Sequence, residues 1–236
     1  MKPLLTLPSS VEERLSGWVR IQERRAAGAV KVQARPTVTL SRQFGCEGFP
    51  LALRLQQLFE ADGGEPWSIL DKELIEKIAQ DEGIALGTLR RLEDPAQYLE
   101  AFGFHPRGAF TGDDAFARLA VAILSSARAG NAIIIGRGGA ILCHKLENCF
   151  HFRMQASLEW RVAALAARMG ITPREAADQE KTQSRRREQF IREHLAADPA
   201  DPLYYDAVFN NERHSVAEIA EAIHAYVRSG WRRLKP

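Results

Sequence analysis

The run Asn131-Ala132-Ile133-Ile134-Ile135 constrains this chain more than any other stretch. It is short, β-branched and apolar without alternation, as a strand covered on both faces must be. Such a strand belongs inside a parallel sheet, and parallel neighbours need crossover connections, usually helices. Thr37–Ser41, Trp67–Leu70, Cys149–Met154 and Ala207–Asn210 read as further strands. Helical periods fall between them. Leu51, Leu55, Leu58 and Phe59 mark one helix, with Pro50 in its first turn. Lys72–Gln80 is a second, with Asp71 as a possible cap, and Phe116, Leu119, Ala120, Ile123 and Leu124 mark a third. Leu158, Val162, Leu165 and Met169 mark a fourth, and Ser215 with Glu218 caps a closing helix through Val216, Ile219, Ile223 and Val227. Residues 83–112 suggest short helices and loops. Strands alternating with helices predict an α/β fold around a mainly parallel sheet.

Length and charge narrow the rest. The 236 residues suit one domain with an appendage, and 45% hydrophobic content supplies a sizeable core. Residues 1–35 read as the appendage, an N-terminal helical extension, and 36–236 as the domain. Ser10 and Glu13 have capping-box spacing, so a helix is expected from about Val11. Leu15, Trp18 and Val19, extended by Gln22, give it a narrow apolar stripe. That stripe suits packing on the outside of the domain or, alternatively, a homodimer contact. Lys+Arg 32 against Asp+Glu 30 leaves a net charge of +2. No global basic field points to nucleic acid, so any anion site must come from local clustering. The three cysteines have neither CxxC nor Cys/His metal spacing, and the six histidines form no recognisable ligand or triad pattern. No apolar run is long enough to cross a bilayer. The first residues show no leader-like pattern, and a cytoplasmic location without a membrane partner is expected.

Ligands of open parallel sheets bind beyond the carboxyl ends of the strands. Four features fall there. The loop Ser41-Arg42-Gln43-Phe44-Gly45-Cys46-Glu47-Gly48 joins a strand to a helix N-terminus. Its N–H groups either cradle phosphate or make a plain turn, because the full GxxxxGK[ST] pattern is absent. Asp71 is either a helix cap or a contact for a sugar hydroxyl or a basic side chain. Arg137 sits on a glycine-lined turn, where it either takes a phosphate bidentately or is solvated. The helix begun by Thr172-Pro173-Arg174-Glu175 is polar almost throughout and is expected to project from the body. Its arginines are either salt-bridged surface groups or a mobile arm closing on a polyphosphate.

Taken in order, these blocks resemble the cytidylate kinase-like proteins, a branch of the P-loop nucleoside monophosphate kinases. Val38-Thr39-Leu40-Ser41-Arg42-Gln43-Phe44-Gly45 resembles their opening strand and loop, and Asp71-Lys72-Glu73 their DKE-type segment. Ile133–Gly138 is similar to their VIVGRGA segment. Lys181-Thr182 with the basic residues after it resembles their lid, and Asp201-Pro202, Tyr205-Asp206 and Asn210 their closing motif. The resemblance implies a P-loop kinase-like three-layer sandwich, with about five parallel strands, helices on both faces and a helical lid at about 172–200. It implies transfer of the ATP γ-phosphoryl group to CMP, dCMP or a related nucleoside monophosphate, with Mg²⁺ accompanying ATP. Carried over by position, Ser41, Arg42, Gly45, Cys46, Glu47 and Gly48 hold the donor phosphates. Asp71 and Arg137 line the acceptor side, and Arg185, Arg186 and Arg192 are the catalytic lid arginines. Cys46 and Glu47 replace small loop residues of the family, Phe49 a basic one, Gln183 an acidic one, and Gly138 an Asp. Those departures support an alternative: a catalytically impaired nucleotide-binding or partner-binding protein of the same fold.

Overall fold

The computed structural model describes residues 10–27, 35–62, 65–80 and 115–234. The expectation for 83–112 lies outside the described residues. Five parallel strands form one sheet: β1 (Thr37–Arg42), β2 (Ser68–Leu70), β3 (Ala132–Ile135), β4 (Cys149–Gln155) and β5 (Ala207–Asn210). Their spatial order is β2-β3-β1-β4-β5. Val38 pairs with Ile133 on one side and Phe150 on the other. The central strands are therefore bonded along both edges and covered on both faces, as the unbroken run of isoleucines requires.

Successive side chains alternate between the faces. Ile133 and Ile135 join Leu40, Phe152 and Met154 beneath α2 (Gly48–Ala61) and α8 (Val216–Leu234), where Leu51, Leu55, Ile219, Ile223 and Val227 are buried. Ala132 and Ile134 face the other way. There they meet α3 (Lys72–Gln80), α4 (Ala115–Ala129) and the short α5 (Gly139–Leu142) through Ile75, Ile78, Ile123, Leu124 and Ile141. The result is a three-layer α/β sandwich. The two buried threonines of β1 are matched: Thr37 Oγ1 donates to the Ala127 carbonyl at 2.9 Å, and Thr39 Oγ1 lies 2.7 Å from His151 Nδ1.

The N-terminal helix α1 (Val11–Ala27) begins at the expected capping box, with the Glu13 N–H donating to Ser10 Oγ at 3.1 Å. It lies along α3 and buries Trp18 in the same core cluster as Leu74 and Ile78. Its apolar stripe is thus used within the chain.

α6 (Leu158–Met169) leads into α7 (Pro173–Leu195), which starts with a complete capping box between Thr172 and Glu175. The expectation that this polar helix projects from the body needs correction, because α7 is anchored at both ends. Near its start Glu180 is buried against Arg161 of α6, and Ser184 Oγ donates to the same carboxylate at 2.6 Å. At its end Ile191 and Leu195 enter the core. A polar helix need bury only a few residues to be held, provided its buried charge is paired.

Candidate functional site

The carboxyl ends of β2, β3 and β1 lie side by side, and Asp71, Gly136 and Arg42 stand at or just beyond them. The Arg42 side chain lies across Gly48, with its Cγ, Cδ and Nε packed where a Cβ would come within 3.2–3.4 Å. Its Nη1 reaches the backbone of Gly136, where any added Cβ would collide with it. Gly136 is therefore needed as empty space for this arginine, and Gly48 leaves it a close fit. Gly136 also has a φ of 74°, which suits glycine.

Two more guanidinium groups face Arg42. Arg137 follows β3 with a φ of 52°, sits 5.1 Å from the Phe190 ring centroid and pairs with Glu76 of α3. Arg187 of α7 lies 4.8 Å from the Phe44 ring centroid, and its Nη1 reaches the Arg42 carbonyl at 3.5 Å. Burial, then Arg187 and Arg137, push the Arg42 guanidinium down to about 9, while Asp71 opposes them. Burial and Arg137 push Arg187 down to about 10. Both remain cationic at neutral pH. Among the described residues no carboxylate lies within ion-pair distance of Arg42 or Arg187. A half-buried cluster of three cations with one paired carboxylate is arranged to take an anion.

The loop after β1 is closed on itself. Cys46 N–H donates to the Gln43 carbonyl at 3.3 Å, Glu47 N–H to Asn211 Oδ1 at 2.9 Å, and Gly48 N–H to the Cys46 carbonyl at 3.0 Å. The carbonyls of Phe44 and Gly45 are held from α6 by Arg161 at 3.1 Å and Arg168 at 3.0 Å. Gly45, with a φ of 103°, sits so close to Arg161 that a Cβ would approach its carbonyl to 2.9 Å. Ser41 Oγ accepts from Tyr205 at 3.1 Å and Arg153 at 3.3 Å. Burial pushes the Cys46 thiol up to about 11, which leaves it a small packed loop residue rather than a nucleophile.

Asp71 caps α3, accepting from the Leu74 N–H at 3.0 Å, and its other oxygen accepts from Arg14 of α1 at 2.8 Å. Arg185, Arg186 and Arg192 are exposed on α7. Arg192 pairs with Glu188 at 3.4 Å, and Arg185 shares an outer face with Gln189 and Glu193. The structure thus gathers Arg42, Asp71 and Arg137 at the sheet edge, and places Arg185, Arg186 and Arg192 away from it. Sequence reasoning counted Arg187 among the basic residues of this helix without choosing it for the site, and it passed over Arg14. The signal for Arg187 was its spacing of three from Phe190; for Arg14 it was its place four residues before Trp18, on the inward face of α1.

The sequence profile of the cytidylate kinase-like family matches residues 37–213. The chain belongs to that family. No curated protein matches it. Among solved structures it resembles an uncharacterized protein from Eubacterium ventriosum ATCC 27560, with a TM-score of 0.63 and 19% identity over 83% of this chain and 99% of that one. That likeness is one of fold. Within the cytidylate kinase-like segment fall Arg42, Asp71, Arg137 and Arg187, whereas Arg14 lies ahead of it.

Proposed function

We propose that this chain binds a nucleoside monophosphate at the arginine-lined sheet edge and phosphorylates it from ATP, with CMP or dCMP the first acceptors to test. The observation that carries this reading is the convergence of Arg42, Arg137 and Arg187 with few opposing carboxylates. Phosphoryl transfer asks a protein mainly for positioning and for cations around the transferred group, and three guanidinium groups supply both. Family membership supports nucleotide chemistry in general. Among the described residues no group of three or more His, Cys, Asp or Glu side chains could hold a metal. Mg²⁺ would come with the phosphates of ATP, and a Mg²⁺ that keeps most of its waters needs only one or two protein oxygens.

A second reading has its own support. The N–H groups of Cys46, Glu47 and Gly48 are already bonded within the protein, and a donor phosphate would have to displace those bonds. That favours a protein that binds a phosphate ester without turning it over. A coupled ADP-release assay with Mg²⁺ and ATP over CMP, dCMP, UMP and AMP separates the two, with calorimetry on the same panel. Release of ADP dependent on one monophosphate supports the kinase. Monophosphate binding without release supports the second reading, and no binding by any member refutes both.

A further inference from the structure

The N-terminal helix was the segment least connected to function by sequence, yet it delivers a charged side chain to the candidate site. Arg14 is held by Asp71, and its side chain is only 12% exposed. One of its nitrogens, Nη1, donates to Asp71 Oδ2 at 2.8 Å. The other two, Nε and Nη2, are buried and make no hydrogen bond, although Nη2 forms a longer ion pair with Glu73 Oε2 at 3.6 Å. Arg137 shows the same pattern. Its Nη2 pairs with Glu76 while its Nε is buried and unsatisfied. Leaving charged donors buried without acceptors is expensive, and natural structures rarely do so without a reason.

The two arginines belong to neighbouring places on the sheet edge. Asp71, which holds Arg14, follows β2; Arg137 follows β3; and β2 and β3 pair directly, Leu70 beside Ile134. Adjacent strands lie only about 4.8 Å apart. Asp71 itself has both oxygens engaged, one by the Leu74 N–H and one by Arg14. It is poorly placed to take a ligand, and well placed to aim the arginine beside it.

We propose that Arg14 is a ligand-contacting residue of this site. Together with Arg137 it grips the phosphate monoester of the acceptor through Nε, which has no hydrogen-bond partner, and through Nη2 as it turns from Glu73, and Asp71 is the residue that positions it. The binding surface then includes α1, outside the segment that defines the family. This inference rests on the monophosphate-binding reading above.

The test is calorimetric titration of CMP and dCMP into the full chain, wild type and variant, with circular dichroism and thermal melting on each. Arg14→Ala is expected to weaken the monophosphate tenfold to a hundredfold. Arg14→Lys keeps the ion pair with Asp71 but loses the planar fork, and should recover only part of the affinity. Arg20→Ala, an exposed change on the same helix, should bind as wild type does. Hydrogen exchange along residues 11–23 should slow when CMP is added to wild type, a response that a purely structural staple would not give. If Arg14→Ala does not fold, Arg14→Lys carries the comparison. Wild-type affinity in a folded Arg14→Ala, or full affinity in Arg14→Lys with no ligand-induced protection of α1, overturns the proposal while leaving monophosphate binding intact. Tighter binding in Arg14→Ala also overturns it, because Arg14 would then be blocking the site. A wild type that binds no monophosphate removes the underlying reading, and this inference with it.

Discussion

Arg187 and its neighbours show how far one residue's environment differs from the next. Arg185, Arg186 and Arg187 are consecutive, and on a helix they point about 100° apart. Only Arg187 turns inward, against Phe44 and the Arg42 carbonyl. Arg187→Ala should therefore weaken a bound nucleotide by roughly tenfold to a hundredfold, the equivalent of about 1.5–3 kcal/mol for a charge-assisted hydrogen bond. Arg185→Ala and Arg186→Ala should each change it less than threefold. Titration of ADP and CMP into the three variants checks this, and equal losses in all three would place the acting group elsewhere on α7. His151 makes a different prediction. Burial, only partly opposed by Asp206, holds its imidazole down from 6.5 to about 4. Between those values the unfolded chain binds a proton that the folded chain refuses. The stability is whole above pH 6.5 and falls as the pH drops toward 4, by up to about 1.4 kcal/mol per pH unit. Urea midpoints measured from pH 7 to pH 4 should show that slope, and His151→Gln should flatten it even if the variant is less stable throughout.

The helix carrying Arg187 behaves according to what its two ends touch. Its start is tied by Glu180 to Arg161, which also holds the Phe44 carbonyl, so the helix and the loop after β1 share an anchor. Its end rests on the turn after β3, where Leu195 and Ile191 close over Gly138. A Cβ at Gly138 would collide with Leu195 Cδ1 and come within 3.3 Å of Ile191 Cδ1, and the φ of 72° adds strain of its own. Gly138→Ala should cost roughly 1–3 kcal/mol, as overpacking does. It should also speed hydrogen exchange in the last two turns of α7, while β3 amides keep their protection. A helix that merely projected would show no such local effect, so unchanged exchange in residues 188–195 would count against an anchor at Ile191 and Leu195. The polar composition of α7 had hidden this. Two apolar side chains near one end and one buried ion pair near the other make too weak a pattern to stand out among so many charges.

What could be read in advance follows the same logic across the chain. The sheet was legible because a strand covered on both faces must be continuously apolar, and Ile133–Ile135 satisfies that without help from any other segment. The bounds of α3, Lys72–Gln80, were legible because Asp71 caps it and its apolar positions recur on one side. α5, Gly139–Leu142, was not, since four residues carry no period. The candidate site was legible at the strand ends, where Arg42, Asp71 and Arg137 are brought together by the sheet. It was not legible where a residue arrives from a helix, because the choice of Arg187 over Arg186, or of Arg14 at all, depends on packing between elements. The assembled cluster has a consequence for the stability of the protein. Arg42, Arg137 and Arg187 repel one another, and that repulsion is a standing cost relieved by any anion that fits among them. Pyrophosphate or ADP should raise the melting temperature more than sodium chloride does at equal ionic strength. At a ligand concentration of about 100 Kd the gain is about 2.7 kcal/mol. For a chain of this size that corresponds to roughly 5–10 °C. Arg42→Gln should melt higher than wild type without ligand, because the repulsion is gone, and should lose most of the shift when pyrophosphate is added. Equal stabilisation by chloride would mean ordinary screening, and the three arginines would then be a charge cluster without a preferred ligand.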